Sequence, residues 1–283
     1  TRKLTQGTQD KKKKVLFVSQ EIYPFLPTSE ISTATRKLTQ GTQDNGKEIR
    51  VFTPRFGLIN ERRHQLHEVI RLSGMNLIVD DTDHPLIIKV ASIPTARIQV
   101  YFIDNDEFFR RKGMYANEKG EEFKDNDERS MFFCRGVLEI VKKLGWKPDV
   151  IHCHGWMTAL MPMYIKDVYK NDPHFDDVKV VYSLYEDGFN KNWDDTFESK
   201  LKFEGFNEEI ISTLKSGDFF DLNRAAIEYS DGVIIGNPEV NGQLRKIFNE
   251  TDKLKLDFES EEGHPKKVNE FFDRVLDEEA VIQ

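Results

Sequence analysis

The 283-residue sequence holds only two cysteines, Cys134 and Cys153. That excludes a disulfide-built scaffold and fits a reducing compartment. It has no apolar run of the about 18 residues that would cross a membrane. It also lacks a signal-type apolar core near Thr1. Positive charge is in deficit, with 41 Lys and Arg against 49 Asp and Glu and a net charge of −8. The basic footprint of a nucleic-acid binder is therefore missing. No glycine-rich loop follows the first strand-like run, so nothing there cradles a phosphate with backbone N–H groups. A cytoplasmic protein that partners neither nucleic acid nor membrane is expected. Because the sequence begins at Thr1 rather than Met, a fragment of a longer protein is also an expectation.

What is present is a globular composition, 38% hydrophobic and 32% charged, with a mean hydropathy of −0.58. At roughly 150 residues per domain, the length allows one large domain or two small ones. The acidity is unevenly placed. From Glu250 to Gln283 there are 11 acidic and 5 basic residues, so this segment carries −6 of the net −8. Residues 251–283 are read as an acidic helical tail, solvated or partner-binding. Residues 1–13 are read as a flexible lead-in ending in the basic run Lys11–Lys14, either a polyanion patch or a solvated approach to the first strand. The domain proper is placed at 14–250.

Residues 1–10, TRKLTQGTQD, recur identically at 35–44, but the period is not sustained, so this is no repeat architecture. The decapeptide is a mediocre helix former, with one Leu among Thr and Gly residues. Local weakness and low hydrogen-exchange protection are expected over 35–44.

Val15 to Val18 reads as a strand buried on both faces. A helix is expected over 30–44, capped by Ser29 and ended at Asn45-Gly46. A strand over 48–52 completes a βαβ unit. Short strand-like runs at 66–72, 75–79, 86–91 and 98–103 predict a hairpin meander inserted into the sheet. Residues 104–128 read as a long surface loop. The stripe Phe133, Val137, Ile140, Val141 and Leu144 predicts a helix over 129–144. Strands follow at 149–152, 178–184 and 232–235. Helices are expected over 156–169 (distorted by Pro162), 208–215, 219–229, 238–248 and 266–279. This alternation defines an α/β fold, a doubly wound, mostly parallel sheet. Ligands of such sheets bind beyond the C-terminal strand ends. That rule selects the residues after Ser19, Pro54, Ile151, Leu184 and Ile235.

At those ends, Glu30 stands in the first turn of a helix, where it suits the dipole but would repel a phosphate. His152-Cys153-His154 tempts as a metal site. However, Cys153 points opposite to the histidines along a strand, and no further cluster supplies ligands, so no metal and no cofactor is expected. His154 and Trp156 either face a pocket, with Trp156 stacking on a sugar, or belong to the core. Glu186 and Asp187 are an acid pair for glycoside hydrolysis or simply exposed carboxylates.

Several segments in order resemble the N-terminal, Rossmann-like half of bacterial glycogen and starch synthases, GT-B glycosyltransferases that use ADP-glucose. They are Lys14 to Ser19 with Glu21 and Pro24, then Val51 to Gly57. Next come Val100 to Asp104 with Phe108, Phe109, Arg111, Gly113 and Tyr115, and Asp125-Asn126 with Arg129. Last are Pro148 to His154 with Trp156 and Ala159, and Ala225 to Asp231. The resemblance runs from about Lys14 to about Ile247. It implies a single lobe of a GT-B fold and glucosyl transfer to an α-1,4-glucan. The implied partners are α-glucan, ADP-glucose and a partner chain supplying the second lobe. It also implies substrate contacts at Thr28, Ser29, Glu30, His154, Gly155 and Trp156, with aromatic help from Phe108, Phe109 and Tyr115.

Departures from that family are equally specific. Its Lys-Thr-Gly-Gly-Leu loop matches Pro27-Thr28-Ser29-Glu30-Ile31, retaining only Thr28. Its His-Asp-Trp-His segment has become His154-Gly155-Trp156-Met157, and Tyr185 stands at its active-site His. No residue is therefore assigned a catalytic role with the donor loop lost. Two readings remain. One is a synthase domain inactive as this chain alone. The other is a catalytically dead homologue, a pseudoenzyme that binds glucan or a partner.

Overall fold

The computed structural model describes residues 11–277; the first decapeptide copy and the last six residues lie outside them. The chain runs β1 (Lys14–Ser19), α1 (Glu30–Asp44), β2 (Glu48–Pro54), α2 (Glu61–His64), β3 (His67–Glu68), β4 (Met75–Val79), β5 (Thr82–Ile93) and β6 (Ile98–Asp104). It continues through α3 (Asp106–Phe109), α4 (Asn126–Lys143) and β7 (Val150–His154). Then come α5 (Met161–Met163), β8 (Lys179–Leu184), α6 (Phe197–Glu204), α7 (Glu208–Leu214), α8 (Phe219–Glu228) and β9 (Gly232–Ile235). The last elements are α9 (Gly242–Glu250), β10 (Leu254–Leu256) and α10 (His264–Asp277).

The strands order as β10-β9-β8-β7-β1-β2-β6-β5-β3, with β4 beside β5. From β10 to β6 every pairing is parallel; β5 runs antiparallel to β6, β3 and β4. This is a doubly wound, mostly parallel sheet with a hairpin meander at one edge. Chain order reverses at β1, between β7 and β2, which makes the tips of these strands the ligand crevice.

Alternation along the strands sorts the core. Phe17, His152 and Phe272 of α10 meet on one face, with ring centroids 5.2–6.3 Å apart. Cys153 points away, toward Cys134 of α4. Both cysteines are free and fully buried. No helix among the described residues is long and apolar enough to cross a membrane.

Helix α1 forms where the capping pattern places it. The Ser32 N–H donates to Ser29 Oγ at 3.0 Å, and the Ser32 hydroxyl accepts from the Ser29 N–H at 2.8 Å. The second decapeptide copy lies inside this helix and buries Thr35, Leu38, Thr39 and Thr42. Its poverty in large side chains serves packing: a Cβ on Gly41 would sit 2.9 Å from the Pro265 Cβ of α10.

The acidic tail expected over 251–283 is corrected for the described part. Leu254–Leu256 pairs in parallel with β9 as an edge strand. Helix α10 buries Val268, Phe271, Phe272 and Val275 against the sheet and α1. Some of its acid faces cations of the body, Glu261 pairing with Lys37 at 2.7 Å and Asp273 with Lys47 at 3.0 Å. The charge is real, but one helical face is core, and the domain does not end at 250.

Three local expectations also change. Residues 66–72 supply only the two-residue β3 after the single turn α2. The loop expected over 104–128 contains α3, whose Phe108 and Phe109 are fully packed. The helix expected over 156–169 breaks into a 3₁₀ turn at Trp156–Thr158, the one-turn α5 containing Pro162, and a wide π-type turn at Tyr164–Val168. Proline cannot donate its ladder bond, so the segment tightens before it and widens after it.

Candidate functional site

A cavity of about 310 Å³ opens at the strand tips. Gln20 and Glu21 enter from the end of β1, Ser29, Glu30 and Ile31 from the start of α1. Tyr185, Glu186 and Asp187 follow β8, Asn237 follows β9, and Tyr115 comes from the loop before α4. Of the residues expected in the site, Ser29, Glu30 and Tyr185 line this cavity. Thr28 is exposed beside it.

The other expected contacts do not reach it. Trp156 is 1% exposed and wedged among Tyr115, Phe189 and Trp193, with ring centroids 5.3–6.0 Å away. It is core, not a sugar platform. Phe108 and Phe109 are likewise closed to any ligand, and only Tyr115 of that aromatic set lines the cavity. His154 is buried, and its Nδ1 hydrogen-bonds the Tyr185 hydroxyl at 2.8 Å. His152 Nε2 is 2.7 Å from the Ser183 hydroxyl. Burial holds both imidazoles below their ordinary range, His154 at about 3, so both rings are neutral at pH 7. Among the described residues no group of three or more His, Cys, Asp or Glu side chains is placed to hold a metal.

At Gly155 the backbone and its surroundings leave no room for a side chain. Its φ is +87°, and a Cβ there would lie 2.3 Å from Gln20 Oε1. Gln20 fills the space: its Oε1 accepts from the Met157 N–H at 3.0 Å, and its Nε2 donates to Asp187 Oδ2 at 3.0 Å. Asp187 also accepts from the Trp156 N–H at 3.1 Å. Restoring a side chain here meets both a left-handed backbone and an occupied volume. Gly155→Asp is expected to lower stability by about 2–4 kcal/mol, read as a fall in the urea midpoint. An unchanged midpoint would show that Gln20 can swing aside.

The cavity's chemistry is one-sided. The Tyr115 hydroxyl donates to Glu21 Oε1 at 2.9 Å, and the Ser29 hydroxyl donates to the other oxygen of the same carboxylate. Burial pushes the Asp187 carboxyl up to about 7, with Glu21 adding to the rise. Burial pushes the Tyr185 phenol up as well, so its hydroxyl stays neutral. Asn237 is 7% exposed, and its side-chain oxygen has no partner among the described residues. Four carboxyl side chains line the space and no Lys, Arg or His does. The site accepts hydrogen bonds and offers few.

Gln20 and Asn237 line the cavity without having been assigned to the site from the sequence, although both stand just beyond a strand, where ligands of such sheets bind. Tyr115, expected as an aromatic contact through the family resemblance alone, arrives from a distant loop.

A sheet wound this way, with its crevice at the β1 switch point, is a Rossmann-like lobe of the GT-B glycosyltransferase kind. The family profile of the starch synthase catalytic domain matches residues 14–254. The chain belongs to that family. Among relatives, it is 36% identical over 227 residues to a glycogen synthase of Chlorobium limicola, covering 77% of this chain and 44% of that protein. It is 38% identical over 248 residues to a glycogen synthase of Chlorobium phaeobacteroides, covering 84% and 50%. The chain thus spans about half the length of the glycogen synthases it matches. The catalytic domain of starch synthase IV from Arabidopsis thaliana, bound to ADP and acarbose, superposes with a TM-score of 0.65 at 20% identity. That match covers 79% of this chain and 45% of that one, and shows the shared fold.

Proposed function

We propose that this chain is the glucan-side lobe of a glycogen- or starch-synthase-type glycosyltransferase, and that it does not transfer glucose from ADP-glucose by itself. The observation that carries this is the acceptor-rich, cation-free cavity at the strand tips. A nucleoside diphosphate sugar brings phosphates, which need N–H donors or cations. Glu21, Glu30 and Glu186 line the cavity with no cation to offset that charge. A neutral sugar instead presents hydroxyl donors, which these carboxyls and the free oxygen of Asn237 accept.

The role that follows is that of a cytoplasmic glucan-binding module. Transfer then depends on a partner chain that brings a donor-binding lobe. Without such a partner, the chain is a pseudoenzyme of the family.

Sedimentation with glycogen and calorimetric titration with ADP-glucose test the proposal together. Retention of the chain on glycogen and no heat with ADP-glucose are expected. Tight ADP-glucose binding with no glycogen retention would contradict it. Placing Lys-Thr-Gly-Gly at 27–30 is expected to leave transfer at background, because Gln20, Gly155 and Tyr185 would remain unsuited to the donor.

A further inference from the structure

A cavity of about 400 Å³ shares no lining residue with the strand-tip cavity. Buried Phe25, from the loop after β1, and Ala91 of β5 give it an apolar floor. Helix α2, the start of β3 and Gln99 of β6 wall it. We infer that this pocket is a binding site for a small phosphomonoester. The inference goes beyond the glucan reading and does not depend on it.

Three observations carry it. First, every ionisable side chain lining the pocket is basic: Arg63 and His64 of α2, and His67 of β3. The chain as a whole is acidic and the strand-tip cavity collects four carboxyls, so a lining without Asp or Glu is a local reversal. The carboxylates that flank these residues in sequence are directed elsewhere. Glu61 is held by Arg55 and Lys89. Glu68 follows His67 on a strand, where successive side chains face opposite ways. Among the described residues none of the three basic groups forms an ion pair. Arg36 of α1 comes close as well, donating at 3.3 Å to Thr95 beside the lining Pro94.

Second, the basic groups stand over a fixed base. The His64 ring lies 5.0 Å from the Phe25 ring, which meets Phe102 edge-on at 4.9 Å. Burial and the Arg63 charge hold the His64 imidazole below its ordinary range, with no carboxylate countering them. A bound anion supplies the missing opposite charge. Third, the pocket brings neutral donors. The Tyr101 hydroxyl donates to Gln99 Oε1 at 3.1 Å, which leaves the Gln99 amide N–H groups for a ligand. The Ser92 hydroxyl and the Gln65 amide line the same space.

An arginine fork flanked by imidazoles matches a terminal phosphate, which carries about two charges at pH 7 and three acceptor oxygens. A cavity of this size belongs to the range that encloses organic ligands. The phosphate therefore carries a small organic body, which Phe25 and Ala91 cover. The internal phosphates of a nucleotide sugar are esterified on both sides and hold one charge each, so they lack the terminal group that this pocket suits.

Calorimetric titration with phenyl phosphate at pH 6 tests the site, with phenol as the uncharged control. Binding of phenyl phosphate and none of phenol are expected. Arg63→Gln is expected to weaken that binding tenfold or more. Lys246→Gln removes the same charge from α9, outside the pocket, and is expected to change it less than twofold. His67→Gln is expected to weaken binding threefold or more at pH 6 and less than twofold at pH 8, because an imidazole carries charge at the lower pH only. Arg63, His67 and Lys246 are all exposed, so the variants keep the fold, which matching melting curves check. No heat from phenyl phosphate, or equal affinity in Arg63→Gln and Lys246→Gln, would overturn the inference. Inorganic phosphate binding as tightly as phenyl phosphate would overturn the assignment to an ester.

Discussion

A chain ending at Glu250 is expected to lose cooperative folding. The segment beyond it looks detachable by charge, carrying −5 of the net −8. Its removal nevertheless strips β10 from the sheet edge and α10 from the core. Val268, Phe271, Phe272 and Val275 are each at most 1% exposed. At about 1.5–3 kcal/mol for each fully buried side chain, their loss removes about 6–12 kcal/mol. That is comparable to the whole stability of an ordinary domain, about 5–15 kcal/mol. It would also uncover Phe17, Leu38 and the His152 ring. Thermal melting followed by circular dichroism checks this: no sharp transition is expected from the shortened chain. A melting temperature within a few degrees of the full chain would restore the picture of a solvated tail.

Trp156→Ala is expected to act on stability before it acts on any ligand. Emptying a fully buried indole site costs about 3–5 kcal/mol. Tyr115, Phe189 and Trp193 all rest on this ring, so the strand-tip cavity would lose its backing. Denaturant titration is expected to show this loss already in the absence of glucan. A variant as stable as the wild type that no longer binds glycogen would mean that Trp156 meets sugar directly.

The parallel strands were legible because each is a short, continuous apolar run, Val15 to Val18 and Gly232 to Ile235 among them. The cap at Ser29 was legible because its bonds are local. The segment after Trp156 was not. Met157, Leu160, Met161, Met163 and Tyr164 are apolar on every side, and a run without a polar face carries no period to read. Strand β10, three residues with a lysine at its centre, has too little pattern to stand out. Its place is decided by α10 packing over the sheet.

The candidate site divides in the same way. The strand-tip rule points to the edge of the sheet where the cavity opens, and it selects Glu30 and Tyr185, which line it. It could not tell Trp156 in the core from Trp156 in a pocket, because that depends on Tyr115, Phe189 and Trp193 arriving from two distant loops. Phe108 and Phe109, expected as aromatic contacts, are closed off for the same reason. A phenylalanine's exposure is set by what folds over it.

Gln20 occupies the volume beside Gly155, and the Tyr185 hydroxyl engages His154. Glu21 and Asp187 accept hydrogen bonds from within the protein, and the Asn237 side-chain oxygen has no partner among the described residues.

Incubating the purified chain with radiolabelled ADP-glucose and glycogen, then counting label in the washed polymer, shows whether the chain transfers glucose by itself. Label indistinguishable from a protein-free control, from a chain that sediments with the same glycogen, is the result predicted here. Label that accumulates in proportion to time and protein would show that the acidic strand-tip cavity does accept a nucleotide donor, and would contradict the account.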